Sequence, residues 1–156
     1  MYYDLDMDIV VKLLLATLLG GLIGLEREVK RKPAGLRTIM FICIGSALFT
    51  LLSEKMGQRY GGDPLRIASQ LIPGIGFIGA GAILHARGSV VGVTTASIIF
   101  ITASIGMAIG AGLYFTAVAA PILVLFLLVV AGWAEKRYHP HDLDLERLQE
   151  NNEPGE

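Results

Sequence analysis

Residues 63–85, DPLRIASQLIPGIGFIGAGAILH, decide how the rest of the chain is interpreted. The stretch is apolar enough to cross a membrane, yet its first turns carry an acid, an arginine and a glutamine: Asp63, Arg66 and Gln70. Four glycines follow within a short segment: Gly74, Gly76, Gly79 and Gly81. A glycine inside a helix costs about 1 kcal/mol relative to alanine, and close packing in lipid offsets that cost. The stretch therefore predicts a middle helix with neighbouring helices on both sides.

The polar residues of this stretch share one helical face, because Asp63, Arg66 and Gln70 are three and then four positions apart. One interpretation is structural, with Asp63 as an N-cap and Pro64 at the first helical position. The other is a binding site on the outer side of the membrane that leads toward the glycines. Pro73 would kink or break the helix, and a break would expose free N–H groups near the middle of the membrane, as in transporter sites.

Composition places the chain among integral membrane proteins. Of its 156 residues 53% are hydrophobic and 17% are charged, which indicates an all-α membrane protein with the lipid bilayer as its main surroundings. The net charge of −1 and the lack of a basic motif argue against a nucleic-acid partner. The single cysteine, Cys43, excludes an internal disulfide. No hydrolase, phosphate-loop or zinc motif is present, so we expect no enzyme activity and no cofactor, and the sequence assigns no residue to Mg²⁺ or another metal.

Hydropathy predicts a transmembrane domain at residues 1–134 and a short polar cytoplasmic tail at 135–156. Five membrane spans are expected, at residues 9–25, 38–52, 66–84, 93–110 and 113–133. The second span is short, so either the bilayer thins around it or its helix continues past Glu54. Most of the 13 Lys and Arg residues fall on one side if the N-terminus is outside and the C-terminus cytoplasmic, which is the arrangement that the positive-inside rule favours.

Further candidate residues lie in the other spans. Glu26 and Arg27 end the first span, where they act either as topological charges or, with Arg37, as an ion-pair network that fixes the loop or binds a headgroup. Thr95 begins a face of the fourth span that is suited to packing or to lining a pore. Small residues that predict contacts between helices are Gly20, Gly24, Gly106 and Gly110.

Five blocks of the sequence resemble the MgtC/SapB family of bacterial membrane proteins. They are GGLIGLERE at 20–28, AGLRT at 34–38, RIASQLIPGIGFIGAGAIL at 66–84, GVTTAS at 92–97 and TASIGMAIGAG at 102–112. The resemblance implies a five-helix inner-membrane domain associated with magnesium homeostasis and, in the virulence-type branch, with survival in macrophages and restraint of the F-type ATP synthase. Positions that match the family pattern are Glu26, Arg27, Gly35, Arg37, Thr38, Arg66, Gln70, Gly74, Gly76, Gly79, Gly81, Thr95 and Gly106.

The chain departs from the virulence-type members in three respects. It stops soon after the last predicted span, where longer members continue into an ACT-like soluble domain, so it resembles the short SapB-like form. Thr94 replaces an asparagine of the virulence-type sequences, and Phe100 stands where many members have tryptophan.

Two hypotheses about function follow. The first is a non-enzymatic protein of the bacterial inner membrane that regulates magnesium or ion homeostasis through a membrane-protein partner or a small ion. The residues expected to bind are Glu26, Arg27, Arg37, Thr38, Asp63, Arg66, Gln70 and Thr95. The alternative is an oligomeric transporter or channel for Mg²⁺, coupled or not to protons, with the third helix at its centre. In both cases the glycine-rich faces predict a homo-oligomer, a dimer in its simplest form.

Overall fold

A computed structural model describes residues 2–86 and 89–138 of the chain. Within this part the helices are α1 (Tyr2–Val29), α2 (Leu36–Tyr60), α3 (Arg66–Gly81), α4 (Val93–Gly110) and α5 (Tyr114–Tyr138). Two short strands, β1 (Leu84–Ala86) and β2 (Ser89–Val91), pair in antiparallel register between α3 and α4. The prediction of an all-helical protein with five helices is confirmed for this part of the chain, and the hairpin replaces what the sequence predicted to be a simple link.

Four of the helices are long and apolar enough to cross a membrane: Met7–Val29, Leu36–Tyr60, Val93–Gly110 and Tyr114–Ala134. The second of these, α2, continues past Glu54 to Tyr60. This continuation explains the short predicted span, and no thinning of the bilayer around it is needed. The remaining helix, α3, has 16 residues and is about 24 Å long at 1.5 Å per residue. That is less than the about 30 Å of a hydrocarbon core, and a fifth crossing stays a prediction.

Contacts between residues divide the chain into two units, Met1–Ile122 and Leu123–Glu156. In the first unit α2 packs against α1 and α4, and α3 lies against α2 and α4. Buried side chains recur every three or four residues on the facing sides, at Ala16, Leu19 and Ile23 in α1 and at Ile39, Cys43, Ala47 and Leu51 in α2. This period is that of one helical face, so each helix contributes one apolar stripe to the core.

Glycines bring α1, α2 and α4 unusually close together. A Cβ added at Gly24 would lie 2.8 Å from the Cα of Leu36, and one at Gly20 would lie 2.7 Å from the Cβ of Cys43. On the other side of α2, a Cβ at Gly110 would lie 2.7 Å from the carbonyl oxygen of Ala47. Real Cβ atoms do not approach other atoms this closely, so these positions need glycine for the helix backbones to touch.

The helix α3 is not the middle helix that the sequence predicted. Only Ala68, Ile75 and Gly79 are buried among its residues, and no described atom lies within 4 Å of a Cβ added at three of its glycines: Gly74, Gly76 and Gly81. The central positions belong to α2, which contacts α1, α3 and α4, and to α4, which contacts α1, α2 and α3; α3 lies beside them, with α2 and α4 as its neighbours. Glycines predict close contacts between helices, but the sequence does not show whether the glycines of α3 make those contacts within their own chain.

The two ends of α3 and its proline also differ from expectation. The N-cap position is Leu65, and Asp63 instead accepts a hydrogen bond from the backbone N–H of Leu65 through Oδ1 at 2.9 Å, in the turn before the helix. The helix continues through Pro73 without a break, so the free N–H groups that a break would provide do not arise there. At the other end, the helix stops at Gly81 and the chain enters β1, before the predicted end at residue 84.

The hairpin returns the chain to the start of α4 at Gly92. This residue has φ +96°, in the left-handed region that favours glycine. A Cβ at this position would also collide with the carbonyl oxygen of Ala82. Gly92 thereby fixes the direction in which α4 leaves the hairpin, and with it the position of Thr95 in the first turn.

Candidate functional site

Arg27 occupies the inward face of α1 at the end of the helix, one turn after the buried Ile23. The residue is only 4% exposed. Its Nη2 donates hydrogen bonds to Thr95 Oγ1 at 2.8 Å and to the carbonyl oxygen of Pro33 at 3.3 Å. The first bond joins α1 to the first turn of α4, and the second holds the loop after α1. One guanidinium therefore fixes three segments of the chain at this end of the core.

The two glutamates beside Arg27, Glu26 and Glu28, make different contacts. Glu26 Oε1 lies 2.6 Å from Lys30 Nζ, while Glu26 Oε2 is buried and has no hydrogen-bond partner among the described residues. Glu28 accepts a hydrogen bond from the backbone N–H of Leu36 at 3.0 Å through Oε2. It thereby caps α2, whose N-terminus favours a negative charge. Gly35 makes this possible, because a Cβ there would occupy the place of the Glu28 carboxylate.

The predicted ion-pair network between this cluster and Arg37 is not formed. Arg37 lies in the first turn of α2, is exposed, and takes part in no ion pair within the described residues. The structure thus brings together Glu26, Arg27 and Thr95 and leaves Arg37 apart from them. Thr38 is exposed as well and faces a groove beside α3.

A second polar cluster, which the sequence analysis missed as a site, lies at the opposite end of α1. Lys12 is 9% exposed, and its Nζ lies 3.0 Å from Asp8 Oδ2 and 3.4 Å from the carbonyl oxygen of Gly110. The Tyr114 hydroxyl contacts Asp8 Oδ1 at 3.4 Å. Gly110 is the last residue of α4. The dipole of α4 stabilises a positive charge at this C-terminus, and Lys12 supplies one. The signal in the sequence was the spacing of Asp8 and Lys12, which are four residues apart on the first helix.

Asp63, Arg66 and Gln70 are exposed at the start of α3. Neither Asp63 nor Arg66 belongs to the ion pairs found in the described part of the chain. The start of α3 is held instead by Ser53 of α2, which sequence reasoning did not single out. Its hydroxyl donates to the Pro64 carbonyl oxygen at 2.6 Å and accepts from the backbone N–H groups of residues 67 and 68 at 3.1 and 3.2 Å.

Two hydroxyls in the core have no hydrogen-bond partner among the described residues: Ser46 Oγ and Thr102 Oγ1. Both residues are almost fully buried, and Ser46 lies beside Gly106 of α4. No group of three His, Cys, Asp or Glu residues that could hold a metal ion occurs within residues 2–86 and 89–138. The polar groups of the core are therefore suited to joining helices, and they do not make a carboxylate cage for a cation.

Two grooves flank α3. The α2/α3 groove has a volume of about 630 Å³, and its walls include Phe41, Gly45, Phe49, Gln70, Gly74 and Ile78. The α3/α4 groove has a volume of about 810 Å³, and its walls include Gly76, Gly79, Ala96, Phe100 and Ser104. Both grooves are mostly apolar. They offer surfaces for a hydrophobic partner, with Gln70 the largest polar side chain on either wall.

Comparison with known proteins gives consistent results. The model of the MgtC family matches residues 13–137. The chain is 39% identical to the protein SapB of Bacillus subtilis over 155 residues, which cover 95% of this chain and 65% of SapB. It is 44% identical over 130 residues to YhiD of Escherichia coli, provisionally described as a magnesium transporter, covering 79% of this chain and 60% of YhiD. It is 39% identical over 128 residues to MgtC of Salmonella typhimurium, covering 82% of this chain and 54% of MgtC.

The chain spans about three fifths of the length of these relatives, SapB included. No solved structure matches it. The family match extends from α1 into α5. It includes the whole Arg27 cluster, but of the Lys12 cluster it includes only Gly110 and Tyr114, because it begins at residue 13. With a family model over most of its residues and relatives at about two fifths identity, the chain belongs to the MgtC family.

Proposed function

We propose that this protein is a non-enzymatic, multi-pass protein of the bacterial inner membrane that acts in magnesium homeostasis by contacting another membrane protein. Membership of the family and the description given to YhiD support the link to magnesium. The predicted arrangement, with five crossings, an external N-terminus and a cytoplasmic C-terminus, belongs to the same proposal.

The observation that carries a regulatory role is the sign of the buried charges. The charged residues that lie buried in the described core are Lys12 and Arg27, one toward each end of α1, and both are cationic. Each has a carboxylate nearby: Lys12 pairs with the half-exposed Asp8, and Glu26, whose Oε2 is buried, adjoins Arg27. A Mg²⁺ ion that followed this core would approach a fixed positive charge at each end, and it prefers carboxylate and water oxygens. Moving a divalent ion past buried cations is opposed by Coulomb repulsion in a medium of low dielectric constant.

The group available to a partner is on α3. Arg66 is exposed there and takes part in no ion pair within the described residues, so another membrane protein can reach it without disturbing the core. Arg66 lies close to the polar turn around Asp63, where a charged side chain can remain hydrated.

A transporter is the competing function, and the provisional description of YhiD favours it. In that case α3 would line a path formed between copies of the chain, and Arg66 and Gln70 would belong to the path. Both functions predict that replacing Arg66 impairs growth at limiting magnesium, so only a flux measurement separates them.

The test combines growth with flux. A bacterium lacking its own family members is grown at limiting magnesium with the wild-type chain, with Arg66→Ala, or with Arg59→Ala as the matched control. Arg59 is also an exposed arginine, in the last turn of α2. We expect the wild type and Arg59→Ala to restore growth and Arg66→Ala to fail at equal membrane abundance.

The same three proteins are then placed in vesicles that contain a magnesium-sensitive dye. The proposal expects Mg²⁺ entry no faster than in vesicles without protein. Saturable entry that Arg66→Ala loses would replace the regulator with a transporter, and the absence of any growth phenotype would remove the link to magnesium.

A further inference from the structure

The α2/α3 groove is an unusual surface for a helix pair in lipid. Gly45 on one wall and Gly74 on the other have no described atom within 4 Å of an added Cβ, so the groove is open to its full depth at both. On the α2 wall Gly45 lies between Phe41 and Phe49, which are four residues before and after it and are both exposed. A hollow between two aromatic side chains fits a protruding side chain.

A protruding side chain, that of Phe77, lies beside the groove on α3. Phe77 is 82% exposed and follows Gly74 by three residues, so the two share one side of α3. A surface that carries a knob beside a hollow is complementary to itself under a two-fold rotation. We propose that a second copy of this chain occupies the α2/α3 groove, with Phe77 of each copy packed over Gly45 and Gly74 of the other.

A polar group of the groove favours a second copy over a lipid acyl chain. The amide of Gln70 is exposed on the wall of the groove. An acyl chain offers this amide no hydrogen bond. A second copy brings its own Gln70 amide, which is both donor and acceptor, and amide pairs join helices within membranes.

The size of the face is also sufficient. The groove extends from Thr38 to Phe49 on α2 and from Ile67 to Ile78 on α3, which is about 18 Å of each helix at 1.5 Å per residue. The outward halves of two helices of this length expose roughly 600 Å² in each copy. Two copies would bury roughly 1,200 Å², more than the about 1,000 Å² that a specific interface requires.

The dimer also accounts for Gly74 of α3. Glycine inside a helix is less favourable than alanine, and Gly74 gains no contact inside its own chain that would offset this. A helix from a second copy supplies that contact. The proposal does not depend on the proposed function, since a regulator and a transporter could both be dimers.

The experiment measures energy transfer between singly labelled copies in lipid vesicles as the protein is diluted. The key variant is Gly74→Leu, which fills the hollow at a position where the chain itself has room. The matched control is Gly76→Leu, on the same helix and equally open within the chain, but on the wall of the α3/α4 groove. Both changes improve helix propensity equally, so they differ only in the groove they fill.

We expect the wild type and Gly76→Leu to form dimers whose dissociation constants agree within about twofold, and Gly74→Leu to raise that constant at least about tenfold. Phe77→Ala should weaken the dimer in the same direction, whereas Phe115→Ala, at an exposed phenylalanine of α5, should not. Phe77→Ala decides the matter if Gly74→Leu does not fold. A monomeric wild type, unchanged dimerisation of Gly74→Leu and Phe77→Ala, or loss of the dimer only in Gly76→Leu would each overturn the proposal.

Discussion

At the scale of single residues, Arg27 shows what the sequence could and could not predict. Its position at the end of an apolar span marked it as a candidate, and so did its match to the family pattern. Its partner could not be predicted, because Thr95 is 68 positions away and Arg37 or the glutamates were nearer in sequence. Helix packing decides which side chains meet, and a single sequence does not state which faces of two helices are opposed.

Replacing Thr95 by valine tests the bond between these two residues. The variant keeps the shape of the side chain but removes the acceptor of a buried, charged donor, so we expect the free energy of unfolding to fall by about 1.5–3 kcal/mol. Thermal unfolding in detergent measures the change. Thr95→Ser keeps the hydroxyl and should stay closer to the wild type. Equal stability of Thr95→Val and the wild type would show that the bond contributes nothing.

At the scale of helices, the structure separates two kinds of glycine that look alike in the sequence. Gly20, Gly24, Gly106 and Gly110 lie where backbones touch, while Gly74 and Gly76 of α3 face open space within the chain. The sequence predicted α3 as the middle helix because glycines accumulate there. It could not assign the central places to α2 and α4, because an apolar helix with few glycines is equally compatible with facing lipid.

Alanine at one glycine of each kind should have opposite effects. In Gly106→Ala the new methyl would meet Ser46 Cβ at 2.8 Å and the carbonyl of Cys43. The helices must then separate, which costs about 1–3 kcal/mol. Gly76→Ala meets nothing in its own chain and gains up to about 1 kcal/mol of helix propensity. Thermal unfolding of the two proteins under one condition compares them, and destabilisation by both would contradict the distinction.

At the scale of the whole molecule, hydropathy predicted the number of helices and the bounds of α4 correctly, but it placed the end of α3 too late and the ends of the other helices short. The helices α1, α2 and α5 extend beyond their predicted spans, because helices continue into the polar interface, where charged side chains no longer signal a membrane. The hairpin between α3 and α4 went unpredicted. Its strands have three residues each, too few for an alternating pattern to be recognised.

Whether α3 crosses the membrane decides between five and four crossings, and two single-cysteine variants test it. Gly62→Cys, before α3, and Val90→Cys, after it, are introduced in a Cys43→Ala background. Because α3 is proposed to cross the membrane, a membrane-impermeant thiol reagent applied to intact cells should label only the cysteine at position 62. Labelling of both from one side would leave four crossings and place the two ends of the chain on the same side. Permeabilised cells, in which both should react, provide the control.

The contact between Lys12 and α4 has a consequence for how the protein is made. The lysine must find the Gly110 carbonyl, which is 98 residues later in the chain. At a synthesis rate of about 5–20 residues per second, α1 therefore waits about 5–20 s in the membrane before that partner has emerged from the ribosome. Arg27 waits a shorter time for Thr95. During this interval the first helix carries a cation toward each end without its final partner, and the acidic side chains already synthesised within one turn of them are Asp8 for Lys12 and Glu26 and Glu28 for Arg27.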